Sequence, residues 1–119
     1  MPRFLSIFSA VERATGPSEA EIAEMGKLIE AGSKEGWLLS TEGCLPTALG
    51  ARVRRADGKV TVKDGPFSES KEVVGGFAVI QARSKEHAIE LTRRFLEVAG
   101  DGEVEIRQLY EVPALEPTS

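Results

Sequence analysis

Between Asp64 and Glu72 the chain gathers three carboxylates (Asp64, Glu69, Glu72), two hydroxyls (Ser68, Ser70) and one ammonium (Lys71) beside the turn Gly65-Pro66-Phe67. Such a loop can hold a ligand. A carboxylate orients a substrate or accepts its proton, an ammonium pairs with an anionic group, and an aromatic ring supplies apolar wall. Proline presets its own backbone angle and glycine admits unusual ones, so the turn can fix the direction of Asp64 while Phe67 anchors the loop in the core. The ligand-binding candidates are Asp64, Phe67, Glu69 and Lys71, with Arg54 and Glu42 approaching from neighbouring strands and Phe77 as further wall. A second reading of the same residues stays open: Asp64 accepts backbone N–H groups as a turn residue, and Glu69, Lys71 and Glu72 are solvated.

Other chemistries have thinner support. The single Cys44 has no histidine near it in sequence and lies in a β-like stretch, so it reads as a small buried residue with low thiol reactivity. The single His87 falls in the first turn of a helix, where a protonated ring is disfavoured, and reads as a surface histidine. No Cys or His pair stands at zinc spacing, no glycine-rich loop precedes a helix, and no serine sits in a nucleophile elbow. Carboxylates alone could take a hard cation, but their spacing does not require one. No metal, no cofactor and no catalytic residue is assigned, and whether the protein is an enzyme is left open. A net charge of −4 in 119 residues speaks against a nucleic-acid partner, because binding a polyanion needs cations to displace its counterions. The basic run Arg52, Arg54, Arg55, Lys59 and Lys63 reads as a solvated face or a small anion site.

A chain of this length is expected to form one domain, here residues 1–112, that buries roughly two-thirds of its unfolded surface. Residues 113–119, with two prolines and no periodicity, read as a tail. With one cysteine, no leader and no apolar run long enough to span a bilayer, the expected location is cytoplasmic, away from any membrane.

The elements that must position the loop follow from periodicity. Arg3 to Ser9 is aromatic and β-branched, a strand apolar on both faces. Ser18 with Glu21 three residues on is a capping box that opens a helix carrying Ile22, Met25, Leu28 and Ile29 on one face and closing at Gly36. Trp37 to Leu45 is a strand stopped by Pro46. Arg52 to Lys63 is a hairpin closed by Asp57-Gly58, the pair a type I′ turn favours. Its two-residue turn sets Val53 opposite Val62 and Arg54 opposite Thr61, with Ala51, Val53, Val60 and Val62 on one face. Gly75 to Ala82 is a central strand, again apolar on both faces. Ser84 caps a second helix with Ala88, Ile89, Leu91, Phe95 and Leu96, closed by Gly100, and Glu103 to Val112 alternates as a last strand.

The fold class is α+β, and the βαβ outline at each end suggests a ferredoxin-like plan with an inserted β-hairpin. Two helices cover one face of such a sheet, yet two strands are apolar on both. A second copy packed face to face, as in a dimeric α+β barrel, would cover the other side through a two-fold interface, so a homodimer is expected.

Asp64-Gly-Pro-Phe67, Glu69, Lys71-Glu72 and Gly75-Gly76-Phe77 together resemble the DGPF proteins of the YCII-related family. The similarity extends to Glu42-Gly43-Cys44-Leu45-Pro46, Val53-Arg54 and Gly58, and covers residues 3 to 112. It implies a ferredoxin-like subunit, a dimeric α+β barrel, and a family whose activity is largely unassigned. Some relatives are associated with extracytoplasmic-function sigma factors, which adds a regulatory or protein-interaction reading to that of a small-molecule binding protein or enzyme. Many relatives carry a first-helix histidine suggested to act with an aspartate; here that stretch is Glu24-Met25-Gly26-Lys27, so the dyad does not carry over.

Overall fold

A computed structural model describes residues 1–13, 15–67 and 71–111. Glu69 and the stretch 112–119 therefore lie outside the described residues. In chain order the elements are β1 (Arg3–Ala10), α1 (Glu19–Glu35), β2 (Leu38–Gly43), a short 3-10 turn (Thr47–Leu49), β3 (Ala51–Ala56), β4 (Lys59–Asp64), β5 (Val73–Gln81), α2 (Lys85–Ala99) and β6 (Glu103–Gln108).

Each helix starts and stops where local chemistry dictates. Ser18 Oγ accepts from Glu21 N while Glu21 Oε1 accepts from Ser18 N, both at 3.2 Å, so two backbone donors at the end of α1 are satisfied reciprocally. Gly36 closes α1 at φ 86°, a left-handed conformation that costs a glycine little. Ser84 caps α2 by accepting from His87 N. The hairpin turn places Asp57 and Gly58 at φ 51° and 78°, and its register pairs Val53 with Val62 and Arg54 with Thr61, as the spacing predicts.

β2, β5, β1 and β6 form one antiparallel sheet in that order, so the two βαβ units interleave. This order is compatible with a ferredoxin-like plan. One face carries Phe4 and Ile80, directly paired across β1 and β5, and packs with Ala82 against Ala88 and Leu91 of α2. Trp37, Leu38, Ala78 and Ile106 pack around that core, and Phe8 meets Phe95 edge to face at 5.3 Å. The alternation of β1 and β5 then sends Leu5, Ile7, Phe77 and Val79 to the opposite face, where Glu42 of β2 and Glu105 of β6 stand in the same row as Phe77 and Ile7. Among the described residues no helix is long and apolar enough to cross a membrane.

Four details differ from the expectations. β6 stops at Gln108 rather than Val112, and β2 at Gly43 rather than Leu45. Ile22 is exposed, as is every residue from Glu19 to Glu24 at the start of α1. Cys44 is exposed as well: it follows β2, and only its backbone N–H joins the sheet, donating to Gly75 O at 2.9 Å.

The helices are joined by a small polar cluster. Glu35 accepts from Arg94 at 3.1 Å and from Trp37 Nε1 at 2.9 Å, and the Arg94 guanidinium, followed by the indole N–H, holds its carboxyl below the usual glutamate range. A carboxyl depressed in the folded state stabilises above its unfolded pKa, and that contribution is lost as pH falls through the folded value. Trp37 is the sole tryptophan. Its fluorescence is accordingly expected to titrate below the ordinary glutamate range, with the midpoint moved upward in Arg94→Gln. A midpoint unchanged by Arg94→Gln would rule out the guanidinium as the main cause.

Candidate functional site

The loop identified by its chemistry is held by backbone contacts with the 3-10 turn. Gly65 N donates to Gly50 O at 2.9 Å, and Phe67 N donates to Thr47 Oγ1 at 3.4 Å. The Gly65–Pro66 peptide is cis. Gly65 runs so close to Thr47 that a Cβ there would overlap the Thr47 carbonyl, which explains the glycine in sterics rather than in chemistry. Thr47 is itself held from the other side: the Glu12 carboxylate accepts from Thr47 N at 2.9 Å and from Thr47 Oγ1 at 2.7 Å. The hydroxyl thus donates to Glu12 and accepts from Phe67, linking the end of β1 to the Gly-Pro-Phe turn.

Glu12 carries no local signal in the sequence because it lies 35 residues from Thr47, outside any short motif. Charge-assisted hydrogen bonds are the stronger kind. Glu12→Ala is expected to cost about 1 kcal/mol, most of it from the released Thr47 donors, and to loosen the turn, read as faster hydrogen exchange at Gly65 and Phe67. Unchanged exchange at both amides would show that the turn does not depend on Glu12.

The candidates named from the sequence fall into separate places. Asp64 ends β4 opposite Ala51, and its carboxylate has no hydrogen-bond partner among the described residues, so the backbone-accepting role is not seen. Phe67 is half-buried outside the central core, with the Arg52 guanidinium 3.9 Å above its ring. It is therefore Arg52, at the hairpin base, that meets the turn; Arg54 lies farther out opposite Thr61. Glu42 and Phe77 are paired on the open sheet face, and Lys71 and Glu72 are exposed. His87 is a capping residue: its Nδ1 accepts from Arg83 N at 3.0 Å, which requires a lone pair on that nitrogen.

Beside the turn runs a groove of about 440 Å³, with Cys44, Leu45, Pro46, Leu49, Phe67 and Val74 among its lining residues. Leu45 and Leu49 are 76% and 74% exposed, too high for core residues and suited to the walls of an open apolar site. The thiol in this groove reverses the sequence expectation. Cys44 is expected to react stoichiometrically with maleimide in the native protein, as access rather than packing governs it. Labelling seen only after unfolding would contradict the exposed position. Among the described residues no group of three or more His, Cys, Asp or Glu is placed to hold a metal ion.

The family model for the YCII-related domain matches residues 3–113. An uncharacterized protein of Rhizobium meliloti (strain 1021) is 39% identical over 49 residues, a match spanning 41% of this chain and 40% of that relative's length.

Proposed function

The chain belongs to the YCII-related family, and from that premise we propose that it is a homodimeric small-molecule binding protein whose site is the groove beside the Gly-Pro-Phe turn. The observation that carries this reading is the groove itself. It lies where the most chemically dense loop of the sequence meets the body of the protein, and Phe67 of that loop forms part of its wall. Its walls are apolar and its polar handles few, namely the Cys44 thiol and the backbone of the 3-10 turn, so it suits a compact, largely apolar molecule. The Arg52 guanidinium over Phe67 brings a positive charge to this wall, which favours a ligand that carries an anionic group at one end. Asp64, solvent-facing beside the turn, is available to orient a ligand or take up a proton.

The dimer is supported by the open sheet face, where Leu5, Ile7, Phe77 and Val79 form an apolar strip that no element among the described residues covers. A two-fold partner buries the same strip on both subunits.

A thermal-shift screen of small aromatic and aliphatic acids tests the reading, since a molecule that binds only the folded state raises its stability. The expected result is a concentration-dependent rise in Tm that disappears in Leu49→Asp. That position is exposed, so the substitution blocks the groove without emptying the core. A rise of equal size in Leu49→Asp would place the binding elsewhere.

A further inference from the structure

The register of the β3–β4 hairpin sorts its residues onto two faces. Arg52 stands opposite Lys63 and Arg54 opposite Thr61, and alternation puts these four on one face of the ribbon together with Lys59. Val53, Val60 and Val62 take the other face, with Arg55 and Asp64 among them. The first face therefore carries four cations and a hydroxyl, and no acidic residue of either strand. In a chain with a net charge of −4 that concentration is local. Among the described residues neither Arg54 nor Lys59 has a carboxylate at ion-pair distance.

This face begins at the wall of the groove. Phe67 is a lining residue of the groove, and the Arg52 guanidinium lies 3.9 Å from the centre of its ring. Stacking on an aromatic ring pre-organises the planar fork of a guanidinium, so less freedom is lost when it takes an anion. Lys63 is directly across from Arg52, about 5 Å away between Cβ atoms in such a pair, and Arg54 is one two-residue step, roughly 7 Å, along the strand. Long stems let all three head groups converge on one anion. A carboxylate has a single charge and two oxygens, which one guanidinium satisfies in a bidentate pair, and three cations around it would still repel one another. A phosphate monoester carries about −1.5 to −2 at neutral pH and three acceptor oxygens, enough to give each cation an oxygen.

We propose that the anionic end of the groove's ligand is a phosphate monoester, held by Arg52, Arg54 and Lys63 while its apolar body lies in the groove, with Phe67 at the junction. This rests on the groove reading above and names the chemical class of its ligand. Phe67 then acts twice, as apolar wall for the body and as platform for the cation that meets the head. The Thr61 hydroxyl, on the same face, is a further donor to the phosphate.

Two compounds with one body and different heads, 1-naphthyl phosphate and 1-naphthaleneacetate, test the proposal, with protection of Cys44 from maleimide as the measure of groove occupancy. The full chain is expected to bind the phosphate about tenfold or more tightly than the carboxylate. In Arg54→Gln/Lys63→Gln that preference is expected to fall to near parity, whereas Arg54→Lys/Lys63→Arg, which keeps the charges, is expected to retain it. Inorganic phosphate, which lacks the body, is expected to leave Cys44 unprotected, and protection by it alone would overturn the two-part ligand. Equal wild-type affinities for the two probes, both protecting Cys44, would overturn the phosphate assignment and leave the groove standing. A preference undiminished in Arg54→Gln/Lys63→Gln would also overturn it, because the phosphate would then be held elsewhere. No protection of Cys44 by either probe would remove the groove reading and the phosphate subsite together.

Discussion

Replacing Gly65 by alanine is expected to destabilise the fold by about 3 kcal/mol, the upper part of the range for forcing extra volume into a packed site. The added methyl group would fall on the Thr47 carbonyl, a backbone atom that cannot rotate away as a side chain can. Relief requires the loop and the 3-10 turn to separate, which breaks the Gly65 N to Gly50 O bond and the Phe67 N to Thr47 Oγ1 bond. Gly26 supplies the control. It lies within α1, where an added Cβ meets nothing within 4 Å, so Gly26→Ala is expected to stabilise by roughly 0.5–1 kcal/mol through backbone entropy. Asp64→Ala is expected within about 0.5 kcal/mol of neutral, because its carboxylate supports no hydrogen bond among the described residues. Denaturant titration of the three variants checks the set. A Gly65→Ala protein as stable as wild type would show that the close approach at Thr47 is dispensable.

Phe4→Ala is expected to cost about 3–5 kcal/mol, the range for emptying a buried aromatic position. Phe4 is 2% exposed at the point where the central strands meet α2, paired with Ile80 and packed in the cluster with Ala88 and Leu91. Its neighbours lie on the sheet and the helix at once, so collapse around the cavity would have to move both. The same truncation at Leu5, one residue on but on the open face, is expected to cost the monomer much less, since Leu5 is only partly buried. In a sheet-face dimer Leu5→Ala would instead act on subunit affinity. Comparable losses at both positions in a monomeric protein would mean that the open face is covered by the chain itself.

These contrasts show where the sequence is legible. Ser18 with Glu21, Asp57-Gly58 and the alternation through Phe4 to Phe8 are local signals, and each fixes its element because the competing conformations lack a hydrogen bond or a buried face. Apolar residues on both faces of β1 and β5 reveal from the order of residues that a second face needs cover, and the packing of Phe4 and Ile80 against α2 shows which face that is. The candidate site is legible only as a location. Its loop stands out by density of charge, but the groups that hold it, Glu12, Thr47 and Gly50, are remote in sequence or ordinary in type. Arg52 and Arg54 alternate on one hairpin face, and only the position of the hairpin root beside Phe67 selects Arg52. Cys44 departs from its expected burial for a related reason: its neighbours are strand-like, yet the sheet ends one residue before it and leaves the side chain in the groove.

Cys44 lines the groove and is a built-in reporter of its occupancy. The most direct test is the rate of maleimide labelling of Cys44 as a function of added 1-anilinonaphthalene-8-sulfonate, a compact apolar anion of the kind the groove suits, in wild type and in Leu49→Asp. Saturable protection of Cys44 in wild type, with probe fluorescence rising over the same concentrations and both effects lost in Leu49→Asp, is the predicted result. A labelling rate indifferent to the probe while its fluorescence saturates, or protection undiminished by Leu49→Asp, would contradict a binding site in the groove.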